Sequence, residues 1–317
     1  MRIELHCHTN ISDCPLSIDE VLELALAQGV THLAITNHDT TKGLEEAVET
    51  GKRYGIEVIP GIEMSGFDFE SGRRVHILGY FIEPGHEGIE TICQPLVNQR
   101  HRASEEMVER LMAAGYKISW ERCKEIAHGG TGVYKQHIMH ALIEAGYTSS
   151  IYGSLYKKLF NRGQNGEKPG IAFIPMEYMD AKTAVQVILL AGGVPVLAHP
   201  GQYGNFEMVS ELVEAGLQGI EVWHPLHHEK HEEQAKQLAR KYDLIMTGGS
   251  DFHGEYGEQP VLIGSKSPGL ETLEALIARR EWNLKKRIHL NKELNHSNAI
   301  DLSAQKRKKA IHHSELR

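Results

Sequence analysis

The chain has 317 residues, 41% of them hydrophobic and 24% charged, and a formal net charge of −8. That balance suits a soluble globular protein with one large core or two smaller ones, and the negative charge argues against non-specific nucleic-acid binding, duplex DNA included. It has no run of eighteen apolar residues, no basic-then-apolar leader and no C-x-x-C pair among its four cysteines, so a cytoplasmic protein with reduced thiols and no membrane association is expected.

In chain order, residues 2–5 predict a short strand, with Ile3 and Leu5 alternating against Arg2 and Glu4. His6 and His8 follow at i and i+2 and share one face of an extended chain, with Asp13 in the next polar turn. Two imidazoles and a carboxylate suit a divalent metal of intermediate softness. Ser17 caps a predicted helix over 18–28, and Glu20 completes a capping box. Residues 32–36 read as a buried strand delivering Asn37-His38-Asp39, and 43–54 as an amphipathic helix stopped at Gly55. Residues 57–62 predict a strand with Glu63 at its exit, and 74–81 another that carries His76.

From 89 to 160 the pattern is helical, broken by glycines, with no strand signal. Strand–helix alternation resumes at 194–198, which ends in His199-Pro200-Gly201. A strand over 219–223 precedes His224, and one over 244–247 delivers Ser250-Asp251-Phe252-His253. A helix over 270–280 closes the alternating part. Such repeats predict a parallel α/β sheet or barrel, and in a barrel the C-terminal strand ends share the rim that builds the active site.

The candidate ligands collected this way are His6, His8, Asp13, His38, Glu63, His76, His199, Asp251 and His253. Nine such groups on one rim would be costly to desolvate without cations, and they exceed what one tetrahedral site needs, so two or three divalent metals are implied. Their order and spacing resemble the PHP (polymerase and histidinol phosphatase) family of metal-dependent phosphoesterases. The residues that carry this are His6-Cys7-His8, Ser12-Asp13, Asn37-His38-Asp39, Gly61-Ile62-Glu63, His76, Ala198-His199-Pro200 and Ser250-Asp251-Phe252-His253. The resemblance implies a distorted (β/α)7 TIM-like barrel with a trinuclear metal centre. His6, His8, Glu63 and Asp251 would hold the first metal, and Glu63 would bridge to a second completed by His76 and His199. Asp13, His38 and His253 would hold the third. Mn2+ is the first choice, with Fe2+, Zn2+ and Mg2+ also accommodated by mixed histidine–carboxylate shells. Two departures are Asn37, where many relatives carry Asp, and Cys14, where Gly commonly follows the Asp.

The barrel is expected over 1–96 and 171–280, interrupted by a helical insertion over 97–170 that holds eleven Lys/Arg against seven Asp/Glu. This insertion resembles that of the branch containing nucleoside 3′,5′-bisphosphate phosphatases and 5′-to-3′ exoribonucleases. Arg100, Arg102, Lys135, His137 and Lys168 are its candidate phosphate contacts, since a basic flap over an acidic rim would grip a second phosphate. Residues 281–317 read as a basic, solvated tail.

The reading is a metal-dependent phosphoesterase with Asp13, His38, His199 and His253 in catalytic positions. Its expected substrates are nucleoside 3′,5′-bisphosphates and short 5′-phosphorylated RNA. The metals would acidify water and neutralise developing phosphoryl charge, and leaving-group protonation would fall to water or His137. The rivals are a histidinol-phosphate or other small-molecule phosphatase, an amidohydrolase, and a non-catalytic metal-binding accessory module of nucleic-acid machinery. The amidohydrolase ranks low because Glu63 stands where a bridging lysine would be.

Overall fold

A computed structural model describes residues 1–163 and 166–287. The first half contains β1 (Arg2–Glu4), α1 (Ile18–Ala27), β2 (Val30–Ile35), α2 (Leu44–Tyr54), β3 (Glu57–Asp68) and β4 (Arg73–Tyr80). Four helices follow without an intervening strand: α3 (Glu87–Ala113), α4 (Trp120–Ile126), α5 (Lys135–Glu144) and α6 (Ser154–Phe160). Alternation then returns with β5 (Met179–Asp180), α7 (Ala181–Leu190), β6 (Val194–Leu197), α8 (Pro200–Tyr203), α9 (Val209–Ala215), β7 (Gly219–Trp223), α10 (Glu229–Tyr242) and β8 (Ile245–Gly248). A last helix, α11, spans 270–287. Residues 288–317, and with them most of the expected basic tail, lie outside the described residues.

The local signals explain the elements. α1 buries Ile18, Val21, Leu22 and Ala25, the i, i+3, i+4, i+7 stripe of an amphipathic helix. The Ser17 hydroxyl accepts from the Glu20 N–H while Glu20 Oε2 accepts from the Ser17 N–H, so the capping box forms as read. α2 ends at Gly55 in the left-handed conformation (φ 68°) that spares glycine a Cβ clash.

The strands form one eight-stranded sheet in the order β1-β2-β3-β4-β6-β7-β8, with β5 beside β3. It is parallel except around β4, which runs antiparallel to both β3 and β6. The all-parallel alternation expected from the sequence is therefore corrected at β3–β4, which is a hairpin. Ile3, Ala34, Ile59, Leu78, Val196 and Ile245, from six different strands, meet Leu273 and Leu276 of α11 in one apolar cluster, so the sheet curls around it. This is an α/β fold. Its strand ladder does not pair β1 with β8 among the described residues; a single parallel bridge, Cys7–Phe252, joins the segments that follow them. Helices α3 to α6 have their own core, in which Met107, Leu111, Ile138, Leu142 and Leu159 pack together with Tyr256.

Candidate metal centre

The site is built where the chain leaves the strands. His6 and His8 follow β1, His38 follows β2, His199 follows β6, and Asp251 and His253 follow β8. Glu63 and His76 come from the hairpin: Glu63 pairs with Leu78 and Ser65 with His76, and residues two apart share a face. Glu63, Ser65, His76 and Arg74 therefore project from one side, with Ile59 and Leu78 of the apolar cluster lower on it. Glu63 lies inside β3 rather than at its exit.

Glu63 is the centre of the arrangement. Its Oε1 lies 2.7 Å from His76 Nδ1 and 2.9 Å from His199 Nε2, and its Oε2 lies 3.3, 3.1 and 3.2 Å from nitrogens of His6, His8 and His38. Asp251 Oδ1 lies 3.2 Å from His6 Nε2 and 3.3 Å from His8 Nε2. Beside this, Asp13 Oδ1 is 3.4 Å from His253 Nε2, and Asp13 Oδ2 is 3.7 Å from His38 Nε2. Three groups of donors converge: His6, His8, Glu63 and Asp251; His38, Glu63 and His76; and Asp13, His38 and His253 with His8 alongside. All nine residues collected from the sequence thus come together.

Four atoms of the first group, His6 Nε2, His8 Nε2, Glu63 Oε2 and Asp251 Oδ1, are buried without a hydrogen-bond partner among the described residues. Orphaned buried polar atoms are costly, and four lone pairs facing one another are matched by one shared cation. The four histidine–carboxylate separations among them, 3.1–3.3 Å, are the spacing of neighbouring donors about 2.0 Å from a shared divalent ion. The residues fit such an ion. Electrostatics agrees. Burial opposes charge on Glu63 and Asp251, yet surrounding imidazoles hold both well below the usual carboxylate range. Burial would lower His253, but Asp13 and Asp251 outweigh it and push it up to about 10. His38, where burial wins, is pushed down to about 4.

Backbone strain gathers here. Among the described residues, three of the five non-glycine residues with positive φ are Asp39, His199 and Asp251, at 55°, 25° and 48°, a conformation that costs L side chains free energy. Pro200 disfavours the right-handed helical region at His199. Asn37 Oδ1 accepts from the Thr9 N–H and the Ser12 hydroxyl, and its Nδ2 donates to Thr9 Oγ1, so it ties the Asp13 turn to the end of β2. An aspartate there could accept but not donate.

A cavity of about 220 Å3 opens on the cluster. Arg100 and Lys135 line it as read from the sequence. Arg100, however, is paired with the buried Asp39 carboxylate at 2.6 Å and stacked on Tyr134. Three expected phosphate contacts do not reach the cavity. Arg102 is two positions beyond Arg100 on α3, about 200° round the helix, and points to solvent. Lys168 is exposed on the loop after α6. His137 is buried, its Nδ1 accepting the Tyr134 N–H at the start of α5, and it does not line the cavity, so no leaving group there meets it.

Sequence reading missed other groups. Arg74 lines the cavity with its Nε buried and unpartnered among the described residues; its position two before His76 on a strand was the available signal. Gln136 donates to Asp13 Oδ2 at 3.0 Å, joining α5 to the cluster. His224, on which no role was placed, lines the cavity too.

Comparison with known proteins adds the lineage. Residues 4–250 match the PHP domain. The chain is 44% identical over 257 residues to the phosphoribosyl 1,2-cyclic phosphate 1,2-diphosphodiesterase of Eggerthella lenta, covering 81% of this chain and 96% of that protein. It is 31% identical over 267 residues to the 3′,5′-nucleoside bisphosphate phosphatase of Chromobacterium violaceum, covering 81% and 89%. A Bifidobacterium adolescentis crystal structure described as a metal-dependent phosphoesterase superposes with a TM-score of 0.78 at 27% identity, over 87% of this chain and 96% of that one.

Proposed function

The chain belongs to the PHP domain family and is a phosphoester hydrolase, and we propose that its substrate is a ribose carrying two phosphate groups. One phosphate sits at the histidine–carboxylate cluster and the other against Arg74 and Lys135. The observation that carries this reading is that one cavity joins the histidine–carboxylate donor set to Arg74 and Lys135, neither of which, unlike Arg100, has a carboxylate within ion-pair distance among the described residues.

His6, His8, Glu63 and Asp251 would hold one divalent ion, Glu63 with His76 and His199 a second, and Asp13, His38 and His253 a third. Mn2+ is the first choice among the ions this shell accepts. When bound, such ions acidify water at neutral pH and offset charge on phosphoryl oxygens. The chain's own residues do the rest. Gln136 holds Asp13 Oδ2 and leaves Oδ1 toward His253. Arg74 offers a forked donor to the non-scissile phosphate and Lys135 a point charge. Water takes the part of leaving-group acid.

Identity to the Eggerthella lenta enzyme supports a phosphoribosyl cyclic phosphate as the substrate. Cavity size points the same way, since about 220 Å3 is small beside the roughly 300–1,000 Å3 of pockets for drug-sized ligands. A nucleoside 3′,5′-bisphosphate is the second reading, favoured by the Tyr152 and Tyr156 rings on the cavity wall, 4.9 Å apart, against which a base could stack. The test is ester hydrolysis with Mn2+ on phosphoribosyl 1,2-cyclic phosphate, adenosine 3′,5′-bisphosphate, AMP, histidinol phosphate and a short 5′-phosphorylated RNA. Two-phosphate substrates should exceed AMP by at least about tenfold, the value of one charge-assisted contact, and chelator should abolish turnover. Full activity after metal stripping, or a preference for AMP, would refute the reading.

A further inference from the structure

β7 ends beneath the cluster, yet neither it nor the loop after it supplies a residue to the three converging donor groups. Two residues of this segment nevertheless touch three that are proposed to bind cations. Glu221 is fully buried; its Oε1 lies 3.1 Å from His6 Nδ1, and its Oε2 accepts the His199 N–H at 2.8 Å. His224 is also buried; its Nδ1 accepts the Leu226 N–H at 3.2 Å, and its Nε2 lies 3.3 Å from Asp251 Oδ2.

These bonds determine where protons sit. An ionised carboxylate only accepts, so His6 carries a hydrogen on Nδ1 and, as a neutral ligand, turns its Nε2 lone pair toward Glu63 and Asp251. His224 Nδ1 accepts from the backbone, so its hydrogen sits on Nε2 and is donated to Asp251 Oδ2. Asp251 then presents Oδ1, the orphaned oxygen that faces His6 and His8. Glu221 is no spare ligand, because both of its oxygens already accept, whereas Glu63 Oε2 and Asp251 Oδ1 do not.

We infer that Glu221 and His224 are positioning residues that preset two of the four donor atoms of the first cation site. Glu221 fixes the tautomer and aim of His6, and His224 selects which oxygen of Asp251 faces the ion. This inference rests on the cation site proposed above. Carboxylate and hydrogen-bond partners behind metal ligands are typically worth 10–100-fold in affinity.

The test uses the full chain, stripped with chelator and titrated with Mn2+ by calorimetry, with visible spectra of the Co2+-loaded protein and melting of the stripped protein. Glu221→Gln keeps the volume but offers one accepting oxygen for two donors, so its Mn2+ affinity should fall by about 10–100-fold and its Co2+ spectrum should shift. His224→Phe should weaken affinity comparably. His224→Gln, whose amide can accept from Leu226 and donate to Asp251, should stay within about threefold of the native protein. Native Mn2+ affinity and an unchanged Co2+ spectrum in Glu221→Gln and His224→Phe, with only the melting point lowered, would overturn the inference by reducing both residues to packing. Each residue is tested separately, so failure of one variant to fold leaves the other decisive. A native protein that takes up no Mn2+ would instead overturn the cation site itself.

Discussion

Lys135 lies among like charges: burial first, then Arg74, Arg162 and Arg100, pushes its pKa down to about 7, with the Phe160 ring 5.1 Å from its Nζ. A folded-state value below the ordinary lysine value means that the unfolded chain holds the proton more tightly. Charge on Lys135 therefore costs stability in full below about pH 7, and the cost fades as pH rises from there toward about 10.4. Lys135→Met should raise the melting temperature more at pH 6 than at pH 9, and should raise KM for a two-phosphate substrate more than it lowers kcat. Equal thermal shifts at both pH values would show that this lysine titrates normally. A phosphate beside it would reverse the unfavourable field, which is a physical reason to place a phosphate there. Arg100 plays a different part, because Asp39 already neutralises it and it joins α3 to the end of β2.

At the scale of elements, the β3–β4 hairpin is what gathers the site. An antiparallel register sets Glu63, Ser65, His76 and Arg74 on one face, so one pair of strands carries two proposed ligands and a proposed phosphate contact. The exits of β1 and β8 supply four more proposed ligands and approach closely enough to leave no room for a side chain between them. A Cβ on Gly249 would meet His6 Cβ at 2.4 Å and His6 N at 2.6 Å. Backbone must move to relieve that. Gly249→Ala should cost about 1–3 kcal/mol or more in denaturant unfolding and weaken Mn2+ uptake, since the displaced residue is His6. Native stability in that variant would show that the two exits part freely.

Across the whole molecule, the proposed ligands come from positions 6 to 253, so cations bound there would bridge segments at both ends of the sheet. Ions that bind only the folded state should stabilise it by about 2.7 kcal/mol at a hundredfold excess over Kd. Chelator should then lower the melting temperature by roughly 4 °C per ion lost for a chain of this size, and Mn2+ should restore it. No change on chelation would mean that the cluster holds no ion in solution. Among the described residues no helix is long and apolar enough to cross a membrane.

The capping box at Ser17, the strand–helix alternation and the nine converging residues were legible in the sequence, because each rests on local chemistry or on a spacing that a strand, at its end or within it, preserves. The contacts that aim those residues were not. Glu221 lies 215 positions from His6, and nothing in its neighbourhood along the chain marks it. Arg100, Arg102, Lys135, His137 and Lys168 looked alike as basic residues of one insertion. Helical phase turned Arg102 away, a helix start absorbed His137, and an ion pair occupied Arg100. Sequence by itself determined the donor chemistry, since imidazole and carboxylate are properties of the residue. Which atoms face one another, and which cations remain without a partner, was decided by tertiary structure, because burial and pairing are set by whatever distant segment packs alongside.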